Sequence, residues 1–130
     1  MVAEAVAAFD RSGGKGKPRI GQLTVCWAKT EGEAVRTAHE LWPISGLKGQ
    51  FKNELPRVAH LEQAVSSVTP EVIAKEITCG PDPERHLQAI GKFVDAGFDH
   101  VYVHQVGPDQ AGFMKFYARE VMPRLTSLAA

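Results

Sequence analysis

The chain has little cysteine. Its two, Cys26 and Cys79, stand far apart without C-x-x-C spacing, which excludes a disulfide framework and fits a reducing cytoplasm. Neither charge is in surplus, because 15 Lys and Arg balance 15 Asp and Glu. With no long block of one sign, neither nucleic acid nor an anionic membrane is an expected partner. No apolar run reaches the ~18 residues of a membrane span, and Met1-Val2-Ala3-Glu4 lacks the basic and apolar regions of a signal peptide. His39, His60, His86 and His100 fall in different segments without metal-ligand spacing, so no metal is predicted. Small molecules and other protein remain as partners.

What is present is ordinary for one globular domain over residues 1–130, with 44% hydrophobic and 23% charged residues. The stretch Pro81 to Leu125 is the most strongly patterned. Asp99 to Gly107 is rich in β-branched and aromatic residues and closes at Gly107-Pro108, which predicts a strand. Leu87, Ile90, Val94 and Phe98 before it recur at helical spacing, and so do Phe113, Phe116, Tyr117, Val121 and Leu125 after it. Val101, Tyr102 and Val103 run almost continuously apolar, so the strand is expected to be covered on both faces, as in a parallel α/β sheet.

Residues 1–19 read as the end of a helix followed by a basic glycine-rich loop. That loop is no phosphate-binding loop, because Arg11 stands where the first Gly belongs and Pro18 where the hydroxyl residue belongs. Residues 20–42 read as strand then helix. Leu23, Val25 and Trp27 alternate with Gln22, Thr24 and Cys26, giving an apolar face and a polar face that looks into a site, a wet cavity or solvent. Thr30 and Glu33 form a capping box, and Ala34, Val35, Ala38, Leu41 and Trp42 make the helix stripe. Residues 43–76 read as an insertion: an irregular surface excursion, a helix with Val58, Leu61, Val65 and Val68 on one face, and a short helix opened by Thr69-Pro70. Residues 77–130 add a short extended piece at Ile77-Cys79, then helix, strand and helix, with Asp82 as the first helix cap.

Four segments carry a resemblance: Thr24 to Ala28, His39 to Pro43, Cys79 to His86, and Asp95 to Gln110. In these the chain resembles the C-terminal part of the luciferase-like oxidoreductases, in the branch that uses the deazaflavin coenzyme F420 and includes F420-dependent glucose-6-phosphate dehydrogenases. The resemblance implies an α/β fold that is the C-terminal portion of a (β/α)8 TIM barrel. About two strands are expected with their helices and a helical insertion, Ile20 to Trp27 as the seventh strand and His100 to Val106 as the eighth. It implies hydride transfer between a substrate carbon and F420, with a flavin as the other option. Most of the coenzyme pocket and the acid–base groups of such enzymes lie on earlier strands. No catalytic residue is therefore assigned, and no coenzyme is expected to bind this chain tightly.

Two residues are candidates for a substrate or anion. Lys52 falls near a family lysine that grips a sugar phosphate. The family arginine of the same grip corresponds to Glu76 in Ile73-Ala74-Lys75-Glu76, where a carboxylate would repel a phosphate, so a sugar phosphate is not the expected substrate. His104 ends the predicted strand where α/β barrels place their chemistry, with Tyr102 on the same face. Asp82 and Glu84 read as cap and dipole partners, and Phe113, Phe116 and Tyr117 as core. Two other readings stand beside the enzyme. One is a non-catalytic module that self-associates, as a homo-oligomer, through open strand edges. The other is a small-ligand domain using Gln22, Thr24, Cys26 and His104.

Overall fold

A computed structural model describes residues 2–49 and 54–125. The strands are β1 (Ile20–Cys26), β2 (Thr78–Cys79) and β3 (His100–Gln105). The helices are α1 (Val2–Phe9), α2 (Glu31–Leu41), α3 (Val58–Val65), α4 (Pro70–Glu76), α5 (Pro83–Asp95), α6 (Gln110–Phe116) and α7 (Met122–Leu125). A π-helical turn at Tyr117–Val121 joins the last two. The sheet order is β2-β1-β3. β1 and β2 are parallel, Val25 facing Thr78 and Cys26 facing Cys79. β3 is parallel to β1 as well: Asp99 N donates to Arg19 O and Val106 N to Val25 O, so both residue numbers rise together. Strands alternating with helices in a parallel sheet make this an α/β fold.

The short extended piece expected at Ile77–Cys79 is a strand, so the sheet has three strands where about two were expected. Among the described residues β1 takes the middle position and β3 lies at the sheet edge. Nor is β3 covered on both faces, since Tyr102 is 67% exposed and His100 is exposed. The apolar run misled because Tyr102 carries a polar tip and can stand in water.

The chain divides into two compact units. The first comprises Met1–Thr24, Asp82–His104 and Met114–Ala130. Asp82 caps α5 by accepting from Glu84 N at 3.0 Å, with Pro83 in the first turn. The helix buries Leu87 and Ile90 along its predicted stripe, and His86 as well. His86 is fully buried, its Nδ1 2.8 Å from the Tyr117 hydroxyl, with the Phe116 and Tyr117 rings edge-on at 5.1 and 5.3 Å. Burial pushes the Tyr117 phenol upward. Gly21 lets Phe93 lie on β1, because a Cβ there would stand 2.7 Å from that ring. At the start of the strands, the Arg19 guanidinium pairs with Asp10 at 2.9 Å and reaches Gly97 O at 3.2 Å, while Asp99 Oδ2 accepts from Arg19 N at 2.7 Å.

The second unit comprises Val25–Pro81 and Gln105–Phe113. Its core is Cys26, Ala34, Ala38, Leu47, Val68, Ile73, Ile77 and Cys79. Thr30 Oγ1 accepts from Glu33 N at 3.2 Å, as the capping box requires. Thr69 differs: its side chain makes no cap hydrogen bond, and its hydroxyl binds the Glu71 carboxylate, holding that group below the usual range. The stripe of α2 is buried only at its alanines, with Leu41 51% exposed, and Val58 opens α3 at 74% exposed. Among the described residues, no helix is long and apolar enough to cross a membrane.

Candidate functional site

The residues of the polar face of β1 part company. Cys26 is fully buried among Ala34 and Ala38 of α2, not on an open face. Burial pushes its thiol up to about 11, with a backbone hydrogen bond at Ala38 acting weakly the other way. A thiol so raised is inert at neutral pH. Cysteine read as polar by alternation here behaves as a small hydrophobe. The shared lining of Gln22, Thr24, Cys26 and His104 expected for a small-ligand domain therefore loses its cysteine.

Within the first unit, Gln22 and His104 do meet: Gln22 Nε2 and His104 Nδ1 stand 3.5 Å apart. Both side chains occupy one face of the sheet with Tyr102, as even-numbered positions of β3 must. That face offers an imidazole, a carboxamide and a phenol, all able to donate or accept without fixed charge. His104 is half-buried and the exposed Tyr102 leaves the face open. Lys52, the other candidate, lies outside the described residues.

Within the second unit, the strand ends form a hydrogen-bonded knot that alternation did not single out. Trp27 N donates to Gln105 Oε1 at 2.8 Å, and Gln105 Nε2 donates to Trp27 O at 3.1 Å. Gln110 Nε2 donates to Gly107 O at 2.8 Å and to Gln105 O at 3.3 Å. Asp109 accepts from Gly112 N at 2.8 Å, opening α6. A Cβ on Gly107 would stand 2.8 Å from the Gln105 amide, so glycine is needed for the close approach. The available signal was a glutamine in line with Val101 and Val103: a carboxamide on a buried face must find partners.

Among the described residues, four grooves lie in the first unit. One of about 220 Å³ is apolar, lined by Ile90, Val94, Val101, Val103, Tyr117 and Met122 among others. One of about 390 Å³ is polar, with Lys17, Arg19, Asp99 and His100. One of about 370 Å³ runs beside the Glu84–Arg124 ion pair, and one of about 210 Å³ lies beside Phe9 and Phe98. His104 and Gln22 line none of these four. Among the described residues, no group of three His, Cys, Asp or Glu could hold a metal ion.

Comparison with known proteins supplies the relationship. No family model matches the chain. Over 128 residues it is 27% identical to an F420-dependent glucose-6-phosphate dehydrogenase of Mycolicibacterium smegmatis, covering 98% of this chain and 38% of the relative. Over 87 residues it is 31% identical to the enzyme of the same name from Segniliparus rotundus, covering 67% of this chain and 26% of that relative. The chain is similar to part of the F420-dependent dehydrogenases. A solved structure, an F420-dependent secondary alcohol dehydrogenase in complex with an F420-acetone adduct, shares the fold with a TM-score of 0.66 at 16% identity. That match covers 93% of this chain and 36% of the other. The chain thus spans little more than a third of the relatives' length, and the α/β architecture agrees with a portion of such an enzyme.

The described residues do not by themselves fit coenzyme F420. The Gln22–His104 face is open, so it supplies at most one wall for a ring system and carries no cation for an anionic group. No step of a hydride transfer is assigned to these side chains.

Proposed function

We infer that the chain is part of a luciferase-like oxidoreductase unit whose reaction is hydride transfer between a substrate carbon and the deazaflavin coenzyme F420. The observation that carries this reading is the agreement of two separate comparisons: the sequence relatives and the structural neighbour are both F420-dependent. In such an enzyme the coenzyme supplies the hydride chemistry and the protein orients ring and substrate. By itself the chain is inactive on this reading, because its polar face is a single open wall. Its open strand edges are satisfied by self-association, and it works in a cytoplasmic setting.

The test is a fluorescence titration of F420 with the purified chain, alone and with a separately expressed polypeptide covering the remaining length of the Mycolicibacterium smegmatis relative. No binding alone, and micromolar binding with hydride transfer in the mixture, is expected. Micromolar binding by the chain alone would overturn its inactivity. A mixture that neither binds nor reduces the coenzyme would overturn the family reaction.

A further inference from the structure

Cys26 and Cys79 stand far apart in the sequence, and the sheet sets them side by side. They are register partners on the parallel strands β1 and β2, and Gly80 N donates to Cys26 O at 2.9 Å, which holds the two backbones at that register. Neighbouring strands lie about 4.8 Å apart, inside the range of about 4.4–6.8 Å that a disulfide spans between Cα atoms. Both residues are thiols, 0% and 1% exposed, and both belong to the cluster that includes Ala34 and Ala38 of α2. Both cysteines and the helix over them lie within the second unit, so the chain's own segments make the pairing.

We propose that Cys26 and Cys79 are a modification site, closing a reversible cross-strand disulfide by exchange with a small-molecule disulfide. The thiolate of one cysteine attacks a sulfur of the small molecule, forming a mixed disulfide and expelling one small thiolate. The other cysteine then attacks the protein sulfur of that mixed disulfide, closing the Cys26–Cys79 bond and expelling the second small thiolate. Two cysteines are oxidised, one small disulfide is reduced, and the two cysteine protons end on the two released thiols. A reducing poise keeps the pair as thiols, and a more oxidising one closes it. The site is independent of the hydride transfer inferred above.

Register, rather than the reactivity of either thiol, makes the pair specific. The closed fold shields both sulfurs, and burial holds the Cys26 thiol protonated, so exchange begins only when the unit opens. Re-pairing of β1 with β2 then delivers one sulfur to the other. The fold and the bond are linked: the factor by which folding favours closure is the factor by which closure favours folding. The loop that the bond closes contains α2, α3 and α4. Oxidation therefore ties those helices to the sheet and removes freedom from the unfolded chain.

The experiment equilibrates the chain with mixtures of reduced and oxidised glutathione at pH 8, in buffer and in concentrated urea, and measures the Cys26–Cys79 bond by mass mapping after acid quenching. An equilibrium constant for closure at least tenfold larger in buffer than in urea is expected, with a higher denaturant midpoint for the oxidised chain. An equal or smaller constant in buffer would overturn the proposal, and so would a product in which the cysteines carry glutathione or join two chains. A second variant tests the register: Thr78→Cys combined with Cys79→Thr moves one sulfur to the other face of β2 and leaves the loop length almost unchanged. Its closure constant should match that of the unmodified chain in urea and fall at least tenfold below it in buffer, with circular dichroism reporting the fold. Closure in buffer as favourable as in the unmodified chain would overturn the proposal. Should that variant not fold, the comparison of buffer with urea for the unmodified chain decides alone.

Discussion

The core around Cys26 and the open face around His104 are built from the same two ingredients, a strand and a polar-looking alternation, and they end in opposite states. Around Cys26 the neighbours are alanines, whose small side chains let α2 close on the strand until no water reaches the thiol. Around His104 the neighbours are Gln22 and an exposed Tyr102, and the face stays wet. What decides between burial and exposure here is whether a helix is laid over the strand residue, more than that residue's own polarity. A side chain's chemistry is therefore set by what is laid over it.

The sharpest way to break this contrast is to hollow the core. Ile73→Ala removes a fully buried side chain from the cluster around Cys26 and should cost about 2–5 kcal/mol, read as a lower midpoint in denaturant melts. Ala38→Leu tests the same closure from the other side. It should destabilise by about 1–3 kcal/mol through overpacking and raise the labelling rate of Cys26 by thiol reagents. In the unaltered chain at pH 8, Cys26 should label only as fast as the fold opens. Its folded pKa lies above the unfolded value, so its contribution to stability is present below pH 9 and is lost as pH rises toward 11, a fall visible in melts over that window.

How much of this was legible in the residues can be judged element by element. The capped starts of α2 and α5 followed from Thr30 with Glu33 and from Asp82-Pro83, because a cap is a local bond between residues a few positions apart. The α/β class followed from strands and helices in alternation. The edge position of β3 did not, because strand order depends on which segments pair across the chain, and a two-residue β2 leaves almost no periodic trace. Cys26 was misplaced because alternation counts sides without knowing the cover. The Gln105–Trp27 knot joins residues 78 positions apart, beyond any local signal.

Smaller effects refine the comparison. Tyr117→Phe leaves the buried His86 ring without the hydroxyl at its Nδ1 and should cost about 1–3 kcal/mol in thermal melts. On the open face, Tyr102→Ser should change monomer stability by no more than about 0.5 kcal/mol, measured at dilutions where any dimer has dissociated. The smallest change belongs to Thr69→Val. Glu71 has a lowered folded pKa, so its contribution is present above the unfolded carboxylate pKa and is lost as pH falls through the folded one. Removing the Thr69 hydroxyl should return that titration toward its ordinary range in an NMR pH series.

The Gln105 carboxamide is a peptide group in miniature, and it meets the main chain of Trp27 with donor to acceptor and acceptor to donor, as a neighbouring strand would. It thereby adds a rung to the ladder beyond the point where the backbones themselves stop pairing. The segments that leave the sheet after Trp27 and after Gln105 depart from one clamped origin. Sequence can drift in those departing segments without shifting where they begin, which is the condition under which a scaffold can change its specificity and keep its shape.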